Sequence, residues 1–116
     1  MRRWPRGRRR SVQGDLRAAR TLLEAGLSAA RLAGDGNAEA WALSFLGYVI
    51  YSLGKTDDGQ ALAESALRLH EEAGDQIGIA LALAQTGFIR LCSGQPRMAA
   101  DLYAQCARVS ESSGNV

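Results

Sequence analysis

The sequence predicts an all-α fold, an antiparallel helix-hairpin solenoid of about two and a half repeats. Three observations carry this. First, residues 40 to 54, AWALSFLGYVIYSLG, return 40 positions later as residues 80 to 94, ALALAQTGFIRLCSG, with Ala40/Ala80, Ala42/Ala82, Leu43/Leu83, Gly47/Gly87 and Gly54/Gly94 identical. Second, the same offset links Gly14, Gly54 and Gly94, then Gly34, Gly74 and Gly114, then Leu22, Leu62 and Leu102. Third, apolar residues within each copy recur at spacings of three and four, the period of one helical face.

The elements follow in the order B, A, B, A, B. Residues 15 to 33 carry Leu16, Ala19, Leu22, Leu23, Gly26, Leu27 and Ala30 and read as the first B-type helix, with Asp15 as its N-cap and Gly34 as the left-handed residue that ends it. Gly34-Asp35 and Gly74-Asp75 are then the same hinge: glycine closes one helix and aspartate caps the next. Connections this short make consecutive helices antiparallel neighbours. The A-type helices, 37 to 53 and 76 to 93, are apolar nearly all round, which predicts burial on several sides. The remaining B-type helices span 56 to 73 and 96 to 113, the latter opening on Pro96, whose missing N–H costs nothing at a first helical position. Arg20/Glu24, Glu64/Arg68 and Arg97/Asp101, each four apart, mark the solvated outer faces.

The chain has 116 residues, 47% of them apolar, enough for one small domain. Its formal charge of +2 is unevenly placed, because six of fourteen basic residues are Arg2, Arg3, Arg6, Arg8, Arg9 and Arg10. The rest holds eight basic against twelve acidic side chains and is mildly acidic. Residues 1 to 13 lack any helical or alternating period and read as a disordered arginine-rich arm, followed by a repeat domain over 14 to 116. Arginines that neutralise phosphates and a Trp4 that stacks on a base would make the arm a nucleic-acid contact; the plainer reading is a solvated leader ahead of an acidic body that repels phosphate. No apolar run approaches the roughly 18 residues of a membrane span, so a soluble, cytoplasmic chain is expected. Cys92 and Cys106 are too few for a disulfide framework and are expected to be buried free thiols.

The repeat resembles the tetratricopeptide repeat, whose pattern runs W-x2-L-G-x2-Y, then A-x3-F, then P. Leu43, Leu46, Gly47 and Ile50 stand in its first part, Gly54 at its turn, and Gly59, Ala63 and Ala66 in its second helix. Leu83, Gly87, Gly94, Ala99, Tyr103 and Cys106 take those places in the next copy, and Gly14, Ala19, Leu23 and Gly26 in the leading half repeat. Gly47 and Gly87 are expected where a neighbouring helix approaches closely. The sequence departs from the pattern in its period of 40, in Gly-Asp where proline is usual, and in Thr86 and Arg90 at places that want apolar groups. The longer spacing is similar to the arrays of bacterial ATP-binding transcription regulators of the LuxR and maltose-regulator type. The resemblance implies a protein-interaction module, possible as a fragment of such a regulator's sensor arm, with a protein or peptide partner and no cofactor.

Chemistry is sparse. His70 stands beside Glu71 and Glu72 but has no second histidine four residues on, so no metal pair shares its face, and it is expected at the surface or rim. The glycines recur at the repeat period and form no phosphate loop, and Asp57-Asp58 reads as a solvated helix start. No catalytic or metal site is expected, and the chain is not read as an enzyme. One constellation remains: Trp41, Ser44, Tyr48, Tyr51 and Ser52 share a face of the first A-type helix, and Leu81, Ala84, Gln85, Phe88 and Leu91 the matching face of the second. In the resemblance these positions line the concave, partner-binding groove; otherwise the stripe is internal packing or covers a missing neighbour. Leu16, Leu22, Leu23 and Leu27 on the first helix and Leu102, Tyr103 and Val109 on the last have no further helix to pack on, which predicts self-association.

Overall fold

A computed structural model describes residues 12 to 112. Five helices follow one another: α1 (Val12–Ala33), α2 (Gly36–Ser52), α3 (Thr56–Ala73), α4 (Gln76–Cys92) and α5 (Pro96–Ser112). The described residues contain no strand, so the expected all-α hairpin array is the fold. α1 begins at Val12, inside the span assigned to the arm, and Asp15 lies within its first turn instead of capping it. A carboxylate there still meets the positive end of the helix dipole, which rewards the added turn. The six arginines and Trp4 lie outside the described residues.

The two hinges form as their sequence requires. Gly34 and Gly74 hold φ of +69° and +68°, a left-handed conformation that side chains with a Cβ resist. Asp35 then accepts the Ala38 N–H at 3.0 Å and Asp75 accepts the Gly78 N–H at 3.0 Å, each capping the helix it precedes. α3 has no side-chain cap at Lys55, and Asp57 and Asp58 in its first turn complement the dipole instead.

The helices make two layers. α2 and α4 form the inner one and touch each other; α1, α3 and α5 form the outer one, in which the backbones of successive helices stand apart. α2 packs against α1 and α3, and α4 against α3 and α5. Leu27, Leu43, Leu46, Ile50 and Ala66 make the core between α1, α2 and α3, with Leu23, Leu62 and Leu69 against it. α2 and α3 approach closely where a Cβ on Gly47 would meet the Gly59 carbonyl at 3.0 Å and one on Gly59 the Gly47 carbonyl at 2.8 Å. Gly87, expected to act likewise, has ordinary clearance: a Cβ there would lie 3.4 Å from the Tyr103 ring.

Several expectations need correction. The A-type helices are not enclosed all round: Ala40, Leu43, Leu46, Val49 and Ile50 of α2 are buried, but Phe45 and Tyr48 are 55% and 52% exposed. Their outward apolar face belongs to a groove, so apolar composition alone did not mean burial. Cys92 is exposed and Cys106 half-buried, its thiol donating to the Ala80 carbonyl at 3.2 Å. Glu64 reaches across to Arg90 at 3.8 Å, whereas Arg68 donates to Ser65, and Arg97 and Asp101 form no ion pair; only Arg20 and Glu24, at 3.6 Å, pair as spaced. Thr86 is accommodated in the interior because its hydroxyl donates to the carbonyls of Ala82 and Leu83.

Candidate partner-binding groove

The 40-residue repeat places equivalent positions of α2 and α4 side by side. Trp41, Ser44, Phe45 and Tyr48 form one stripe, spaced three, one and three apart; Leu81, Ala84, Gln85 and Phe88 form the other at the same repeat positions. Together they line an open groove of about 520 Å³ with no charged side chain on its walls. Tyr48, Leu81 and Phe88 stand exposed along it.

A polar staple sets the distance between the stripes. Ser44 Oγ donates to Gln85 Oε1 at 2.9 Å, and Gln85 Nε2 donates to the Ser44 carbonyl at 2.7 Å. Both groups are thereby satisfied in a part-buried setting, which removes the usual cost of polar atoms against apolar walls. Trp41 and Phe45 stack at 6.0 Å and 29° beside the staple.

One end of the groove is fixed from behind. Trp41 Nε1 donates to Asp75 Oδ2 at 3.1 Å, and its ring meets the His70 ring edge-on at 5.0 Å and 74°. His70 is fully buried, contrary to the surface position expected, because the Gly-Asp hinge folds α4 over it and Gly78 leaves space for the ring. Burial lowers the His70 pKa below 6.5, partly offset by the Asp75 carboxylate, whose Oδ2 lies 3.7 Å from Nδ1. Asp75 is held below the usual 3.8, first by the Gly78 N–H and then by Trp41 and Asn37.

Seven of the ten residues named from sequence, Trp41, Ser44, Tyr48, Leu81, Ala84, Gln85 and Phe88, meet in this groove, and Ser52 does not. Tyr51 and Leu91, also equivalent in the repeat, are not on its walls; Tyr51 sits one turn on, its ring 6.2 Å from that of Phe88. A hydrogen bond with Cys92, and then burial, raise the Tyr51 phenol above 10.0. Phe45 was missed, although the repeat offset pairs it with Gln85 and so pointed to it. Among the described residues no three His, Cys, Asp or Glu side chains converge as metal ligands would, and no helix is long and apolar enough to cross a membrane.

Alternating antiparallel helices in two layers, with an uncharged groove between the inner pair, define a helical repeat protein. The family is the tetratricopeptide repeat, whose sequence model matches residues 38–112, and the chain belongs to it. Such repeats are protein–protein interaction modules. No curated protein and no solved structure matches the chain.

Proposed function

We propose that the α2–α4 groove docks an uncharged segment of a partner protein that presents large apolar side chains. The observation that supports this is the convergence of exposed Tyr48, Leu81 and Phe88 on walls that carry no charge. Aromatic groups bury roughly 150 to 250 Å² each at little entropic cost, which suits them to anchor a segment. The Ser44–Gln85 pair leaves one Nε2 hydrogen for a backbone carbonyl of the bound segment.

Panning a random peptide library on the purified chain tests the proposal. Neutral peptides containing Trp, Phe or Leu should be enriched, and Tyr48→Ala with Phe88→Ala should weaken them by about thirtyfold, the loss of one hot spot of about 2 kcal/mol. Enrichment of acidic or basic peptides, or binding untouched in the double variant, would overturn it. The 40-residue offset of the Gly-Asp hinges supports placing this module in the sensor arm of a larger bacterial regulator, which a fused ATP-binding segment in the flanking reading frame would test.

A second reading, self-association, is favoured by the exposure of Leu22 and Leu32 on α1, at 74% and 91%. Sedimentation at about 100 µM should then show a dimer or larger species, and a monomer that unfolds cooperatively would count against it.

A further inference from the structure

One end of the groove rests on a buried ionisable side chain. His70 is fully buried, and neither Nδ1 nor Nε2 has a hydrogen-bond partner. Asp75 Oδ2 lies 3.7 Å from Nδ1, too far for a hydrogen bond. That same oxygen accepts the Trp41 indole N–H at 3.1 Å, while Oδ1 accepts the Gly78 N–H at 3.0 Å. The carboxylate is thus divided: one oxygen caps α4, and the other stands between two rings, of which only the indole donates to it.

A proton on His70 changes this balance. The imidazolium donates from both nitrogens, and a charge placed in the interior needs a partner. Asp75 is the group in position to provide one. Glu71 and Glu72 on the same helix are exposed, Glu39 in the first turn of α2 is engaged by Arg31 at 3.0 Å, and residues 76 to 79 of α4 carry no charge. A charge-assisted N–H to carboxylate bond closes to about 2.8 Å and is roughly twice as strong as a neutral one, so Oδ2 moves about 1 Å toward Nδ1 and leaves the indole. Burial holds the His70 pKa below 6.5 against the opposing pull of Asp75, which puts the exchange in mild acid.

We propose that His70 is a proton-operated switch behind the groove: its protonation transfers Asp75 Oδ2 from the Trp41 indole to the imidazolium and frees Trp41 from its anchor. Oδ1 stays on Gly78, so α4 keeps its cap. The consequence for docking rests on the reading of the groove as a binding site: a partner held while His70 is neutral is weakened as pH falls through the folded His70 pKa. By linkage, a partner that needs Trp41 anchored makes His70 harder to protonate.

NMR of the full chain between about pH 7.5 and pH 4.5 tests the switch without a ligand. His70 is the single histidine, so its Cε1–H titration is unambiguous, and Trp4→Phe assigns the remaining indole signal to Trp41. The Trp41 indole N–H resonance should move with the same midpoint as His70 while the Leu43 and Ile50 methyls of the core hold still, and it should stay fixed in His70→Leu. Trp41→Phe, which removes the competing donor, should raise the His70 midpoint by about half a pH unit. With the neutral peptide Ac-Leu-Gly-Phe-NH2 as probe, binding should be about fivefold weaker one pH unit below the His70 midpoint than at pH 7, and independent of pH in His70→Leu.

The switch is overturned by an indole resonance that stays fixed while His70 titrates, by one that moves equally in His70→Leu, by an unchanged His70 midpoint in Trp41→Phe, or by loss of the core methyl signals before His70 takes up its proton. Equal peptide binding at both pH values while the indole moves would overturn its control of docking. A peptide that binds at neither pH counts against the groove reading alone, and the indole resonance still decides the switch.

Discussion

The imidazole of His70 occupies the space that a Cβ on Gly78 would need. The ring is sealed beneath the start of α4 by a residue with no side chain, and Asp75, between them in sequence, caps that helix and holds Trp41. The hinge, the buried histidine and one end of the groove are therefore a single packing unit.

The glycines should separate by their clearances. Gly78→Ala, which overlaps the ring, and Gly47→Ala, which meets a backbone carbonyl at 3.0 Å, should each cost about 1 to 3 kcal/mol through overpacking. Gly87→Ala, with 3.4 Å to a ring, should be neutral or gain up to about 1 kcal/mol from helix propensity. Urea unfolding of the three variants checks this, and equal midpoints would contradict it.

Stability should fall with mild acid. Because burial depresses the His70 pKa below 6.5, the unfolded chain takes up the proton first. Stability is then undiminished above 6.5 and declines below it until the folded ring also protonates. Asp75 acts lower: its contribution is present above 3.8 and is lost as pH falls through its depressed folded value. The urea midpoint should drop between about pH 6.5 and pH 5, and His70→Leu should flatten that interval. A parent protein with a constant midpoint there would refute the assignment.

Asp35 and Asp75 cap their helices alike, yet should not be equivalent. Asp35→Ala should cost about 0.5 to 2 kcal/mol, the usual range for a lost N-cap. Asp75→Ala should exceed it by about 1 kcal/mol, since the Trp41 N–H loses its acceptor as well. Thermal unfolding of the two variants, together with Trp41 fluorescence, distinguishes them.

Groove and core residues of α2 should differ in kind. Tyr48→Ala, at a half-exposed position, should change stability by no more than about 0.5 kcal/mol. Leu46→Ala, two residues away in the core, should cost about 2 to 5 kcal/mol. A large loss from Tyr48→Ala would mean that the aromatic stripe is internal packing.

The sequence by itself determined the repeat, the order of the helices and both hinges, because these rest on local rules: apolar spacing, glycine where φ is positive, aspartate before a free helical N–H. It also pointed to seven of the residues that line the groove, since a 40-residue period brings equivalent positions together, as in Trp41/Leu81 and Tyr48/Phe88. Only the tertiary structure decided which side of each apolar helix is covered. Composition cannot tell a helix enclosed by neighbours from one whose remaining face lines a groove, and so Phe45 escaped notice. His70 is the clearest case: nothing within its own helix buries it, and its place beneath α4 depends on a turn and a glycine that meet it only once the hairpin closes.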